Sequence, residues 1–201
     1  MRSGSVFALI ALAITLTFYS NAQEARSSLS VQGTGSFTKD SSGNNTLQHA
    51  TNTGGVLAGY RYHINRWLAA EAVYGYDRNS QKFFSPAGLA RVQANVHQAT
   101  GGFVVSLPTR ARWRLSPYLL AEGGALVFDP TSNNSLAGAQ SQAVGTFVYG
   151  GGADFPMAHH LSLRAEYRGL VYNTPDFGIR TLNADRFTHT AQPSAGLVYR
   201  F

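Results

Sequence analysis

Charged residues recur at every second position of the segment Leu161 to Tyr172. Its polar positions are Ser162, Arg164, Glu166 and Arg168, and apolar or small residues lie between them. In an extended chain such alternate side chains point to one side. The same parity places further charges on the polar side of other segments: Arg61, Glu71, Glu122, Asp154 and Arg200. Acids and bases are nearly balanced in this set, and charges withdrawn from bulk water must pair or find water. We therefore expect ion pairs where the fold brings these side chains together.

A second candidate for chemistry is His160-Leu161-Ser162, in which an imidazole could activate a hydroxyl. The arrangement is similar to the site of the lipid A 3-O-deacylase barrels, where a histidine activates the serine and a carboxylate orients the histidine. Leu163 stands where that family has asparagine, and the nearest glutamate is Glu166. A lipid-modifying enzyme is therefore the minor alternative, and we expect no catalytic residue.

The remaining histidines predict no metal centre. They lie in separate segments, without the spacing of metal ligands: His49, His63, His97 and His189. The chain also has no cysteine, which excludes a thiolate zinc site, a disulfide scaffold and a cysteine nucleophile. We expect neither a metal nor a cofactor.

The composition excludes several classes of protein. Charged residues make up 13% of the 201 residues and hydrophobic residues 44%. The charged fraction is about half of the usual quarter, whereas disordered tails, coiled coils and nucleic-acid-binding tails are rich in charge. The pI of about 9.8 does not indicate a nucleic-acid partner, because the basic residues are dispersed along the chain.

The amino-terminal segment, residues 1–22, has the features of a secretory signal peptide. Arg2 precedes an apolar stretch that runs to Tyr19, and small residues stand third and first before Gln23. This order is typical of a signal that is removed on export. We expect cleavage between Ala22 and Gln23, which leaves residues 23–201 as one mature domain. The alternative is a single membrane anchor.

The rest of the chain alternates with a period of two between clusters of Gly, Asn, Ser, Asp and Pro, which predicts strands joined by hairpins. Glycine is scattered through these segments, and helices do not tolerate that. We predict eight strands: Ser27–Thr38, Gly54–Ile64, Trp67–Asp77, Val92–Leu107, Pro117–Phe128, Ala143–Phe155, Leu161–Tyr172 and Thr188–Phe201.

Alternation alone does not separate a soluble sandwich, with its apolar side inward, from a membrane barrel, with its apolar side on lipid. Three features favour the barrel. Long and short connections alternate along the chain, as expected for repeated crossings of a bilayer, and the strands are long enough for a tilted span. Aromatic residues also gather near the strand ends like two interfacial girdles. They are Tyr62, Trp67, Trp113, Tyr118, Phe155, Tyr199 and Phe201 on the short-turn side, and Phe37, Tyr74, Tyr76, Phe147 and Tyr172 on the long-loop side.

The carboxyl end reads Leu197-Val198-Tyr199-Arg200-Phe201, with alternating apolar residues before a terminal phenylalanine. With this motif and the charged segment that begins at Leu161, the mature sequence resembles the OmpA-type outer-membrane barrels of Gram-negative bacteria. The resemblance implies an all-β, eight-stranded antiparallel up-and-down transmembrane β-barrel with both termini in the periplasm. It also implies that Leu197, Tyr199 and Phe201 form the barrel-assembly signal. OmpA itself adds a peptidoglycan-binding domain, which we do not expect here because the chain stops at Phe201.

The resemblance further implies the location and the partners. They are the bacterial outer membrane with its lipid and lipopolysaccharide, and the barrel assembly machinery and periplasmic chaperones during biogenesis. We expect a monomer that binds no nucleic acid.

The filling of the barrel should decide its function. Eight strands enclose room for side chains only, so we expect a plugged lumen and a structural or surface-interaction role. The plug would consist of Arg61, Glu71, Glu122, Arg164, Glu166, Arg168 and Arg200, together with Asp154. The alternative is a narrow, porin-like channel for ions or very small solutes, lined by the same groups. A change of parity across Gly101-Gly102 predicts a β-bulge, which leaves the direction of His97 open.

Overall fold

The computed structural model describes residues 26–38, 41–43, 46–50, 53–85, 88–108, 115–130, 141–173 and 187–201, and of 41–50 and 79–93 only the backbone. The signal segment and its cleavage site at Ala22 and Gln23 lie outside these residues. In the described ranges the strands are β1 (Ser27–Thr38), β2 (Ser41–Gly43), β3 (Thr46–Ala50), β4 (Thr53–His63), β5 (Leu68–Ser85), β6 (Gly88–Ser106), β7 (Ser116–Pro130), β8 (Gln142–Pro156), β9 (Leu161–Asn173) and β10 (Phe187–Arg200). None of these ranges holds a helix long and apolar enough to cross a bilayer.

Eight strands form a closed antiparallel barrel, as predicted. From β4 to β10 each strand pairs with the next, and β1 pairs with both β4 and β10. The short hairpin of β2 and β3 extends the sheet at the far end of β5. Closure leaves no row of unpaired backbone groups in the barrel wall, a condition that a hydrocarbon environment imposes.

The barrel has two distinct ends. At the first, here called the turn end, β4–β5, β6–β7 and β8–β9 are joined, and Arg26 and Phe201 lie there too. Two backbone hydrogen bonds, of 2.9 and 3.2 Å, join Ser27 and Phe201. The first and last strands are therefore hydrogen-bonded as far as their ends at the turn end. The turn between β4 and β5 is held by the side-chain oxygen of Asn65, which accepts hydrogen bonds from the backbone N–H groups of Trp67 and Leu68. The opposite end is called the loop end.

Side chains alternate between a polar interior and an apolar exterior. On β9 the exposed fraction is 1% for Arg164 and 0% for Arg168, but 45% for Leu163 and 44% for Tyr167. A water-soluble barrel would show the reverse, because the hydrophobic effect drives apolar side chains inward. The exterior is therefore suited to lipid and the interior to polar contacts.

Two strands are longer than the sequence predicts. The backbone ladder between β5 and β6 continues from Asp77 and Val96 to Ser85 and Gly88, where we predicted a loop of about 14 residues. The prediction was wrong because a hairpin needs only paired backbone groups and not an apolar side. Beyond the barrel neither face of the hairpin is packed against lipid or the lumen. The sequence there does not need to alternate between polar and apolar residues, so its pattern does not reveal the strands.

The predicted β-bulge at Gly101-Gly102 is absent. Gly102 lies opposite both Glu71 and Glu122, and Gly101 opposite their neighbours, with no residue skipped in either ladder. The strand keeps one parity, so Val96 faces the interior and His97 faces outward, where its Nδ1 lies 2.7 Å from the Tyr74 hydroxyl. The apparent change of parity arises because the inward residues near the loop end, Ala94 and Val96, are apolar, whereas the apolar residues beyond Gly102 that we assigned to lipid, such as Phe103, face outward.

Two of the predicted girdle residues belong to the lumen. Tyr118 and Tyr172 are 3% and 4% exposed and lie on the inner side of β7 and β9. Their rings carry a hydroxyl that finds polar partners inside, which explains the inward position. Trp113 lies outside the described residues. The other exposed aromatics, such as Tyr62 at the turn end and Phe37 at the loop end, are where they were expected.

Close contact between strands makes Gly150 a sensitive position. A Cβ atom added there would lie 2.0 Å from the backbone oxygen of Tyr167, whereas one added at Gly145 of the same strand would meet nothing within 4 Å. We predict that Gly150→Ala lowers the free energy of unfolding by about 2 kcal/mol, and that Gly145→Ala changes it by less than about 0.5 kcal/mol. Urea unfolding of the barrel in lipid vesicles measures both. Equal effects of the two substitutions would contradict the strand contact.

Candidate functional site

Two ion pairs form between directly opposed residues of neighbouring strands. Arg61 of β4 faces Glu71 of β5, and their Nε–Oε1 and Nη2–Oε2 distances are 3.1 and 2.9 Å. Asp154 of β8 faces Arg164 of β9, with distances of 2.7 and 3.0 Å from Nε and Nη2 to the two carboxylate oxygens. Directly opposed positions bring Cβ atoms to about 5 Å, so both arginines bind their carboxylates in the bidentate way that favours this side chain.

Three further ion pairs join β9 to strands that are not its neighbours. Nη1 of Arg164 lies 3.2 Å from Oε1 of Glu71, on the far side of the lumen. Nη2 of Arg61 lies 3.7 Å from Oε2 of Glu166. Arg168 contacts Glu122 of β7 through Nη2. The charged groups thus bridge β9 to β4, β5 and β7 and cross the lumen.

Hydroxyl groups complete this network. The Tyr118 hydroxyl donates to Glu166 at 2.5 Å, and the Thr100 hydroxyl donates to Glu122 at 2.7 Å. The guanidinium carbon of Arg61 also lies 4.2 Å from the centre of the Tyr118 ring, a cation–π contact. Gly152 leaves the space that the tyrosine uses, because a Cβ there would lie 2.6 Å from its hydroxyl oxygen.

The network is buried and formally neutral. It consists of four arginines and four carboxylates: Arg61, Arg164, Arg168, Arg200, Glu71, Glu122, Asp154 and Glu166. Its side chains are at most 5% exposed, except that Arg200 is 36% exposed at the turn end, where Nη2 lies 3.3 Å from Asp154. Burying such charges costs free energy that good pairing offsets. Removing one partner should therefore lower the stability of the barrel more than replacing both partners with apolar side chains.

The loop-end half of the lumen is lined differently. On one side it has apolar side chains of β6, β7 and β9, namely Val96, Leu126, Phe128, Leu170 and Tyr172. On the other it has hydroxyl, amide and carboxylate groups, namely Ser36, Thr38, Asp77, Gln98, Thr190 and Gln192. The sequence-based interpretation missed this apolar lining, because it assigned every apolar side to lipid.

The structure brings the predicted charged residues together, and it adds two that were missed. Thr100 was not considered, and Tyr118 was placed in the girdle. Tyr118 could have been found by parity, because it stands four residues before Glu122 on the same strand. Leu197 and Tyr199 of the predicted assembly signal face outward, and the rings of Tyr199 and Phe201 stack with centroids 6.3 Å apart.

The His160-Leu161-Ser162 sequence does not place its two polar side chains on one side. Ser162 is 3% exposed and faces the lumen. His160 is exposed at the turn end, where its Nδ1 lies 3.0 Å from the backbone oxygen of Arg200. In the part of the chain that the structure describes, no three His, Cys, Asp or Glu side chains could hold a metal ion.

Solved structures of bacterial outer-membrane proteins have the same fold. OprG from Pseudomonas aeruginosa matches with a TM-score of 0.60 and 13% identity, over 90% of this chain and 98% of that chain. Neisserial surface protein A matches with a TM-score of 0.58 and 14% identity, over 87% and 97%. Ail, the attachment invasion locus protein of Yersinia pestis, matches with a TM-score of 0.51 and 20% identity, over 89% and 100%. At these identities the likeness concerns the fold alone.

The sequence comparisons concern the family. No curated protein sequence matches the chain. The family described as "Outer membrane protein beta-barrel domain" matches residues 8–201. That match, the closed barrel and its inverted polarity agree, and the chain belongs to the outer membrane protein β-barrel family.

Proposed function

We propose that this barrel has a structural or surface-interaction role in the outer membrane and that its lumen is closed by the Arg/Glu network. The observation that carries the proposal is the set of ion pairs across the lumen, from Arg164 to Glu71 and from Arg168 to Glu122. An eight-stranded barrel has room for side chains and little more. Side chains held by several partners each do not leave a continuous water path.

The proposal includes the orientation of the barrel and its surroundings. Both termini and the three short turns would lie in the periplasm, with the loop end outside the cell, since long loops of such barrels are extracellular. The exposed apolar exterior would contact lipid and lipopolysaccharide. The outward-facing Leu197 and Tyr199, with Phe201, would be presented to the barrel assembly machinery after export and removal of residues 1–22. In this role the chain is a monomer and carries out no catalysis.

A narrow channel for ions or very small solutes is the second candidate. It is favoured by the unpartnered polar atoms within the network, which are Oε1 of Glu122 and Nε of Arg168 and Arg200. Such atoms bind water when space allows, and a chain of waters beside the arginines would be the start of an ion path.

Single-channel recording in a planar bilayer distinguishes the two candidates. We expect the refolded protein to be silent, because the network closes the lumen. The double substitution Arg164→Ala with Arg168→Ala removes two large interior side chains and should produce steady current steps. Arg78→Ala is the matched control, since this exposed arginine lies on β5 outside the network. Insertion is confirmed by the heat-dependent shift on electrophoresis. Steady steps of the unaltered protein that change with Arg164→Gln would overturn the plug and support the channel.

A structural network also predicts a large loss of stability when one charge is removed. Arg164→Gln leaves Asp154 with Arg200, at 3.3 Å, as its cationic partner and removes the contact of Glu71 across the lumen, and we expect a loss of about 3 kcal/mol in the free energy of unfolding. Arg78→Gln should change it by less than about 0.5 kcal/mol. Urea unfolding in lipid vesicles measures both. A loss for Arg164→Gln no larger than that of the control would show that the pairs do not hold the barrel together.

A further inference from the structure

The exposed rim of the turn end is positively charged. Arg26 and Arg66 are both exposed there, and neither forms an ion pair with another described residue. Arg200 is 36% exposed and shares Asp154 with the network. No acidic side chain among the described residues is exposed at this end. The main-chain carboxylate of Phe201 also lies there, but its oxygen accepts a backbone hydrogen bond, so cations outnumber anions on the rim.

The basic side chains form one continuous arc around this rim. His160 lies in the turn before β9, and its backbone oxygen accepts a hydrogen bond of 2.9 Å from the N–H of Arg200 at the end of β10. On the adjacent β1 side, the backbone oxygen of Arg26 accepts a hydrogen bond of 2.7 Å from the N–H of His63, which ends β4. Arg66 follows in the turn from β4 to β5. These five residues are here called the basic arc.

Aromatic side chains place the basic arc at the level of a membrane surface. Tyr62 and Trp67 are each 43% exposed on the outer wall, and Tyr199 is 53% exposed. The guanidinium carbon of Arg66 lies 5.2 Å from the centre of the Trp67 ring, and the centroids of the His160 and Tyr199 rings are 5.9 Å apart. Trp and Tyr side chains gather where the hydrocarbon of a bilayer meets the headgroups. The basic arc therefore lies beside the lipid headgroups of one leaflet.

The charge of the basic arc selects among headgroups. A guanidinium binds a phosphate through two parallel N–H groups, and basic side chains near a bilayer surface attract anionic lipids. A zwitterionic headgroup brings a cation of its own, which Arg26 and Arg66 repel, whereas an anionic phospholipid brings only the negative charge of its phosphate. Peptidoglycan also carries carboxylates, but the aromatic side chains beside the arc favour a partner within the bilayer.

We propose that the basic arc binds the phosphate group of an anionic phospholipid, with Arg26 and Arg66 as the main contacts. The acyl chains of this lipid would lie on the apolar outer wall, where Leu29, Leu163 and Leu197 are exposed. The site goes beyond the proposed function, because it does not depend on whether the lumen is closed. In the proposed orientation the lipid belongs to the periplasmic leaflet.

Quenching of Trp67 fluorescence by brominated lipids tests this preference. Trp113→Phe leaves Trp67 as the single tryptophan. The variant is refolded into phosphatidylcholine vesicles in which the same fraction of lipid is replaced by brominated phosphatidylglycerol or by brominated phosphatidylcholine. We expect phosphatidylglycerol to bind beside Trp67 about fivefold more tightly, the effect of about one arginine near an anionic surface. The preference should disappear in about 1 M NaCl, where charges are screened beyond about 3 Å.

A pair of variants, each in the Trp113→Phe protein, tests the two arginines. Arg26→Gln with Arg66→Gln removes two cations from the basic arc and should lower the preference to less than about twofold. Arg78→Gln changes an exposed arginine near the loop end and should leave the preference unchanged. If the double variant does not refold, the comparison of the two lipids at low and high salt in the Trp113→Phe protein decides the matter.

Equal quenching by the two lipids, or a preference that the double variant retains, would overturn the proposal. Brominated lipid is present in both leaflets, so neither result depends on the orientation of the barrel or on the closure of its lumen. Equal quenching together with sedimentation on purified peptidoglycan that requires Arg26 and Arg66 would overturn the lipid site and assign the basic arc to the cell wall.

Discussion

The decisive constraint on this protein is that charges enclosed by a lipid-facing wall must be neutralised by one another. Eight strands leave too little space for bulk water, so each guanidinium and carboxylate in the lumen needs a partner of opposite charge. Four of each meet this need with no formal charge left over. The closed ladder of the wall meets the equivalent need of the backbone.

The two kinds of ion pair have different consequences. Pairs between opposed residues, such as Arg61 with Glu71, follow from the register of adjacent strands and tie only neighbours together. Pairs across the lumen, such as Arg164 with Glu71, connect opposite walls of the barrel. Most of the cross-lumen contacts begin on β9, so this strand couples the two sides. The small residues opposite it, Gly150 and Gly152, let the wall approach closely enough for these contacts.

The lumen changes character along its axis. Towards the turn end it holds the charged network beside the apolar side chains of Val104 and Leu120, and towards the loop end one wall is hydrocarbon and the other carries hydroxyls, amides and Asp77. The charged part is balanced within itself, whereas the described part of the loop-end pocket has one uncompensated carboxylate and unpartnered amide atoms. The two halves of the lumen thus differ in how far their polar groups are paired.

The sequence by itself determined the class of fold, the position of most strands and the polar parity of the charged residues, because alternation with a period of two is a local property of the chain. It also excluded thiolate chemistry, since there is no cysteine. Tertiary structure alone decided which charges meet, because contacts such as Arg168 with Glu122 depend on how the sheet curls and closes. It also decided that Val96 and Tyr118 face inward and that β5 and β6 continue beyond the barrel. The local sequence pattern does not contain this information, because an apolar residue gives the same pattern whether its side chain faces lipid or the lumen.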